Sequence, residues 1–331
     1  MSAWRLFHRE LCVGRMSVMS RPTWMWIFPA FLCAVFCGAD EAAGAFKAGS
    51  QSVSLKVGGL ERNFLLHVPP QYDGTKALPL VMFFHGGMGT AKHGEEHYGW
   101  TELADKEGFF VVYGNGTGTF QTWNALHGCG SAFKNNIDDI GYVKAVLADV
   151  NSKLKVDAKR IYATGMSNGA MLTHRLAAEM SDVFAAAAPV AGTIGGKEND
   201  GAQEKRCPQP ANPVAMVIFH GKMDNNVLYD GGTTKAGVER GRIDLSVAES
   251  VAFWVKADGC GAAPKKEEFK NVVKESYASP GGADVVLYTI LDGAHAWPGS
   301  KPMFRRAAAD PATSISATEK AWEFFASHPK K

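Results

Sequence analysis

The chain has 331 residues, 46% of them hydrophobic and 21% charged, which is the makeup of a folded body with a sizeable core and excludes a disordered or fibrous chain. Lys and Arg number 35 against 33 Asp and Glu, a formal net charge of +2. No long stretch is strongly basic, so nucleic acid is not expected as a partner.

The first 45 residues read apart from the body. Arg5, Arg9, Arg15 and Arg21 precede an uncharged run from Pro22 to Ala39, and Ala43-Gly44-Ala45 offers a small-residue cleavage site, the pattern of a secretory signal peptide. Met16 would serve as an internal start with a leader of more ordinary length. Pro29 interrupts the run, which argues for cleavage rather than a retained membrane anchor. Cleavage takes four Arg and three acidic residues with it and leaves residues 46–331 at a formal charge of +1, as one domain in a secreted or periplasmic protein with no expected membrane contact. Three cysteines remain, Cys129, Cys207 and Cys260, and an oxidising compartment predicts one bridge among them and one spare thiol. Their spacing does not suit a metal site.

The body opens on two β-like runs, Val53 to Val57 and Asn63 to Val68, joined by Gly58-Gly59 as a hairpin. Six buried-strand patterns follow, Leu78 to Phe84, Phe109 to Tyr113, Arg160 to Thr164, Ala185 to Val190, Val214 to Phe219 and Val285 to Leu291. Helical periodicity fills Tyr98 to Lys106, Ile140 to Leu154, Asn168 to Met180, Ser246 to Lys256 and Ser316 to Phe325, the last two opening with Ser246…Glu249 and Ser316…Glu319 at capping-box spacing. Such alternation predicts an α/β fold with a mostly parallel central sheet and helices on both faces. Gly114 to Asp138 and Gly192 to Pro213 carry no pattern and are too long for plain connections, so they read as site-forming loops.

Gly165-Met166-Ser167-Asn168-Gly169 is a G-x-S-x-G sequence between a strand and a helix, the setting of a nucleophile elbow. A serine hydroxyl needs a base, and the base needs an acid to fix its tautomer, in the chain order Ser, acid, His. Downstream of Ser167, His174 lies on the next helix, His220 in the last turn of a strand and His328 in the tail. His295 sits in a Gly/Pro-rich loop after the last strand, where the base is expected. Asp224 follows the strand ending at Phe219 and is the expected acid, with Asp230, Asp244 and Asp292 as rivals. The developing oxyanion needs donors, for which the amide of Asn168 and that of Gly87 or Met88, in His85-Gly86-Gly87-Met88-Gly89, are the candidates. Gly114-Asn115-Gly116-Thr117-Gly118 lacks the dinucleotide spacing, His93 and His97 lack a third metal ligand, and Trp254 reads as core, so no metal or other cofactor is expected.

Taken in order, these motifs, together with Leu103 to Phe109, Trp123-Asn124, Asp138 to Tyr142, Ala188 to Gly192, His220 to Asp224, Phe253-Trp254 with Gly259-Cys260 and His295 to Gly299, resemble the secreted polyhydroxybutyrate depolymerase and feruloyl esterase family of α/β-hydrolases, over about Val53 to Phe325. The resemblance implies the triad Ser167, Asp224 and His295 in a serine carboxylesterase acting through an acyl-enzyme on a small or polymer-linked ester. Polyhydroxybutyrate depolymerases of the group usually carry His-Gly-Cys where this chain has His85-Gly86-Gly87, which favours hydroxycinnamoyl (feruloyl) esters of plant polysaccharide as substrate. Trp123 and Trp297 stand where their rings are expected to flank the serine and stack on a cinnamoyl group. A short-chain polyester depolymerase and a catalytically silent binding protein are the alternatives.

Overall fold

A computed structural model describes residues 47–127, 130–234, 241–301 and 311–331; the leader expected at 1–45 and Cys129 lie outside them. Strands β1 (Gly49–Val57) and β2 (Leu60–Val68) form the expected antiparallel hairpin. Gly58 and Gly59 turn it with φ of 56° and 83°, the doubly left-handed turn that matches strand twist. There follow β3 (Leu78–Phe84), α1 (Ala91–His97), α2 (Trp100–Glu107), β4 (Phe110–Gly114), α3 (Gly130–Lys134), α4 (Asp139–Lys153), β5 (Val156–Met166), α5 (Asn168–Glu179) and β6 (Ala186–Val190). Short strands β7 (Gly195–Lys197) and β8 (Lys205–Arg206) lead to β9 (Ala215–Gly221), then β10 (Gly232–Thr233), β11 (Ile243–Asp244), α6 (Val247–Ala257), β12 (Lys265–Phe269), β13 (Val272–Tyr277), β14 (Val285–Ile290) and α7 (Ala317–Ser327).

Ten strands make one sheet in the order β1-β2-β4-β3-β5-β6-β9-β14-β13-β12. The six from β4 to β14 are parallel, and an antiparallel hairpin closes each end. Alternation along β3 sorts the two cores. Leu80, Met82 and Phe84 face α4, α5 and α6 through Val146, Leu176 and Trp254, whereas Val81 and Phe83 face α2 and α7 through Trp100 and Phe325. Both faces of the parallel strands are thus covered, as their unbroken apolar runs require. This is the α/β-hydrolase arrangement, with antiparallel margins.

Three features depart from expectation. The β12–β13 hairpin has no hydrophobic run because β12 is an edge: Lys266 pairs with Glu275 at 2.9 Å and Lys274 with Glu267 at 3.4 Å, charges that discourage edge-to-edge association. The unpatterned 192–213 stretch supplies β7 and β8 to a second, four-stranded sheet ordered β10-β11-β7-β8, whose strands are too short to show a period. The predicted bridge is also absent among the described residues. Cys207 is buried as a free thiol beside Ile194, to whose carbonyl its N–H bonds, and Cys260 is a free thiol pointing at the Ala283 carbonyl.

The helix ends bear out the capping reading in full at α6 and by half at α7. Ser246 and Glu249 satisfy each other's amides reciprocally, and the Ser316 hydroxyl accepts from the Glu319 N–H. At the far end of α6, Asp258 is buried with one carboxylate oxygen accepting from the Val214 N–H at 3.0 Å and the other unpartnered. Burial pushes its pKa from the ordinary 3.8 up to about 7, against the pull of that hydrogen bond. A carboxyl raised on folding leaves stability undiminished below its unfolded pKa, and stability is lost as pH rises toward 7. Asp258→Asn keeps the acceptor and removes the charge, so it raises Tm by about 3 °C or more at pH 8 and has little effect at pH 4, a contrast read from melts at the two pH values.

Candidate active site

Ser167 stands between the end of β5 and the start of α5 with φ 55° and ψ −119°. Side chains other than glycine rarely adopt that backbone, and here neighbours enforce it: the Ser167 N–H donates to the Val190 carbonyl at 2.9 Å. The two motif glycines permit the turn. A Cβ on Gly165 would lie 2.5 Å from the Gly169 carbonyl oxygen, and one on Gly169 would lie 2.1 Å from the Phe84 carbonyl oxygen. Because both obstacles are backbone, Gly169→Ala destabilises by about 2 kcal/mol or more, which a denaturant midpoint measures.

The strand order brings the other groups to the same sheet edge. On one flank of β5 the loop after β3 carries His85 to Gly89; on the other the loops after β9 and β14 carry Asp224 and His295. Those last two loops are fastened together. The Met223 N–H donates to the Gly293 carbonyl at 2.9 Å and the Lys222 N–H to the Ile290 carbonyl at 2.8 Å, and a Cβ on Gly221 would meet the Gly293 carbonyl oxygen at 2.2 Å. His295 Nε2 lies 2.9 Å from Ser167 Oγ, and its Nδ1 lies 2.7 Å from Asp224 Oδ2. Asp224 Oδ1 accepts from the Asn226 and Val227 amides at 2.8 and 2.9 Å. Burial by itself would raise the Asp224 pKa, but the His295 charge and hydrogen bond, His220 and the Val227 amide outweigh it, and the carboxyl sits below its ordinary range.

The rival acids are placed elsewhere. Asp230 pairs with Lys222 on the surface, and Asp292 accepts from Asn271 Nδ2. Asp244 is buried against Arg242 and His127; those partners overcome its desolvation and hold its pKa at about 2. His174 is buried and accepts from Trp254 Nε1, which also seats Trp254 in the core, and His328 lies beside Phe324 and Asp284.

Of the candidate oxyanion donors, Met88 is corrected: its N–H is already spent on the Gln121 carbonyl at 2.9 Å. Gly87 and Asn168 fit. The Gly86 carbonyl is held by His85 Nδ1 at 2.7 Å and by the Gly89 N–H at 2.9 Å, so the trans peptide aims the Gly87 N–H the opposite way, and Gly86 itself abuts Ser167, whose Cβ lies 3.3 Å from where a Cβ on Gly86 would stand. Asn168 opens α5, where the first amides have no intrahelical partners and the Ser167 hydroxyl does not cap them.

Trp123 and Trp297 are corrected as well. Both indoles are buried and offer no face to a ligand. Trp123 Nε1 donates to the His85 carbonyl and its ring packs on Phe84 and Tyr142; Trp297 Nε1 donates to Thr318 Oγ1 and its ring packs among Phe83, Tyr98 and Trp100. Rigidity is what they bring to the site loops.

Two residues, His85 and His220, were missed as parts of the site, and so was the side chain of Asn168, of which only the amide was expected to serve. The Asn168 side chain accepts from the Trp123 N–H and donates to the Trp123 carbonyl, clamping the 114–125 loop to the elbow. His85 accepts the Gly116 N–H at Nε2, which leaves the proton on Nδ1 for Gly86, and burial lowers its pKa to about 4, so it stays neutral. His220 gives its Nε2 proton to the Val227 carbonyl at 2.8 Å and rests 3.5 Å from Asp224 Oδ2. The sequence signals for the two histidines were the motifs His85-Gly86-Gly87 and His220-Gly221-Lys222-Met223-Asp224, read there for other residues.

Known proteins agree with this architecture. Residues 62–217 match the family model described as Esterase PHB depolymerase, a span that includes Ser167 and the His85 loop and ends before Asp224. The chain is 31% identical over 237 residues to Feruloyl esterase B of Piromyces equi, an alignment covering 71% of this chain and 42% of that protein, so the chain spans less than half of that relative. It is 29% identical over 269 residues to a putative esterase, NocK, of Nocardia uniformis subsp. tsuyamanensis, covering 76% and 75% of the two. The solved acetyl xylan esterase from Aspergillus awamori shares the fold, with a TM-score of 0.55 at 17% identity over 85% of this chain and 100% of that one. Through residues 62–217 the chain is similar to the esterase PHB depolymerase family, on an α/β-hydrolase fold.

Proposed function

We propose that this protein is a serine carboxylesterase, and the observation that carries the reading is the continuous relay from Ser167 Oγ through His295 to Asp224. His295 Nε2 takes the Oγ proton as Oγ attacks the ester carbonyl carbon. The negative charge that develops on the carbonyl oxygen is met by the Gly87 and Asn168 amides. His295 then passes the proton to the departing alkoxide, leaving an acyl-serine, and water deprotonated by the same imidazole releases the acid. Asp224, ionised and fully bonded, holds the proton of His295 on Nδ1 so that Nε2 is the basic nitrogen.

Within that class the substrates are hydroxycinnamoyl esters of plant polysaccharide. The likeness to a feruloyl esterase and the Gly87 variant of the oxyanion loop support this choice, while the buried tryptophans do not contribute to it. A panel of methyl ferulate, a feruloylated arabinoxylan oligosaccharide, 4-nitrophenyl acetate and a hydroxybutyrate trimer tests it. The hydroxycinnamates are expected to give the highest kcat/KM; rapid clearing of emulsified polyhydroxybutyrate without release of ferulate would replace this reading with the depolymerase one. Action on polysaccharide outside the cell follows from the leader reading. Among the described residues no helix is long and apolar enough to cross a membrane. Amino-terminal sequencing of exported protein should find Phe46 first, and an intact leader on that material overturns the secreted assignment.

A further inference from the structure

Six large hydrophobic side chains are exposed among the described residues, and three of them, Met88, Phe120 and Met223, lie on loops that carry, or are hydrogen-bonded to loops that carry, the groups around Ser167. Phe120 is the most exposed, at 69%. It rides on the tip of a small hairpin in which Thr117 and Thr122 exchange both backbone hydrogen bonds at 3.1 Å. The glycines of the Gly114 to Gly118 run make that hairpin possible: a Cβ on Gly116 would meet the Thr122 carbonyl oxygen at 2.6 Å, and Gly118 has φ 88°. The hairpin is bolted to the oxyanion loop twice, by the Gly116 N–H on His85 Nε2 and by the Met88 N–H on the Gln121 carbonyl. Met88 itself is held at φ 65°, a conformation unusual for its residue type, with its side chain 43% exposed. A phenyl ring held in water on a hairpin that is hydrogen-bonded to the oxyanion loop is a surface prepared for a ligand.

Sheet order says which half of the ester lies there. Asp224, His295 and Met223 belong to the β9 and β14 flank of Ser167; His85 to Met88 and the Phe120 hairpin belong to the β3 and β4 flank. His295 must reach the leaving oxygen, so the alcohol half is directed to the β9 and β14 flank. The acyl half then runs over the opposite flank. Resting on the esterase reading above, we propose that Phe120, with Met88 beside it, is the shelf that recognises a flat or extended apolar acyl group, and that Met223 borders the alcohol half.

A crossed comparison with the full-length protein tests the assignment. Phe120→Ala is expected to lower the ratio of kcat/KM for 4-nitrophenyl ferulate over 4-nitrophenyl acetate about tenfold, through KM, because the aromatic contact belongs to the acyl group alone. The same variant should change the ratio of 4-nitrophenyl ferulate over methyl ferulate, which differ only in the alcohol, by less than about twofold. Met223→Ala should show the reverse pattern. An unmoved acyl ratio in Phe120→Ala, or an equal shift in the alcohol ratio, overturns the shelf; its Tm, expected to stay within about 1 °C of the parent, excludes unfolding as the cause. If the unaltered protein hydrolyses no hydroxycinnamate, the substrate reading fails by itself, and 4-nitrophenyl octanoate against acetate applies the same test to the shelf.

Discussion

On the proposed mechanism, Ser167→Ala lowers kcat for any ester by about 10⁵- to 10⁶-fold and leaves a folded protein. The substitution deletes one oxygen whose hydrogen bond runs to His295; that oxygen does not cap α5. Stability is expected to be nearly unchanged, because alanine inherits the backbone at φ 55° and ψ −119° that serine already occupies. Ser167→Gly separates the two consequences of the elbow. It is equally inactive, yet glycine is at ease in that conformation, and relief of the strain outweighs the extra freedom of the unfolded chain by about 1 kcal/mol. Single-turnover hydrolysis of a chromogenic ester, covalent labelling by a fluorophosphonate followed by peptide mass mapping, and melts of the three proteins provide the measurements. Labelling at a residue other than Ser167, or turnover above about 1% in the alanine variant, puts the nucleophile elsewhere.

The parts of the molecule legible in the sequence are those where local pattern and tertiary setting coincide. β3 runs from Leu78 to Phe84 as its unbroken apolar run predicts, because a central parallel strand is buried on both faces and nothing polar competes. Ser167 and Asp224 each come within hydrogen-bond distance of His295 because the three residues occupy loops after different parallel strands, a placement that chain order reveals. Illegible features depend on what the chain meets from afar. Met88 follows Gly87 in sequence, but only the arrival of the Gln121 carbonyl removes its amide from service. Trp123 and Trp297 lie near the serine in the chain of motifs, and burial by Tyr142, Tyr98 and Trp100 decides that their faces are unavailable. The aromatic group that does reach solvent, Phe120, sits in a stretch without periodicity, where exposure is set by a six-residue hairpin and not by a pattern. Cysteine counting failed for a related reason: it supplies a number of thiols, while Cys207 is buried as a free thiol and the Cys260 thiol is turned to the Ala283 carbonyl.

Asp224→Asn is expected to lower kcat by about 10³- to 10⁴-fold, and the hydrogen bonds at this carboxylate say how. Oδ1 receives two backbone N–H groups, from Asn226 and Val227, so an asparagine there must turn its carbonyl oxygen to that side. Its NH₂ group is thereby forced into the position of Oδ2, 2.7 Å from His295 Nδ1. Two donors cannot face each other, so the imidazole gives up its Nδ1 proton and carries it on Nε2, the nitrogen 2.9 Å from Ser167 Oγ. A base already protonated toward its nucleophile cannot accept the hydroxyl proton, and the site is intact in shape but wrong in tautomer. Asp230→Asn and Asp292→Asn, whose carboxylates pair on the surface with Lys222 and Asn271, should stay within about twofold of the parent. Kinetics of the three variants, with ¹⁵N shifts of the His295 ring in the first, decide the matter. More than about a tenth of parental activity in Asp224→Asn, or an unchanged proton position on His295, means that this carboxylate does not set the tautomer of the base.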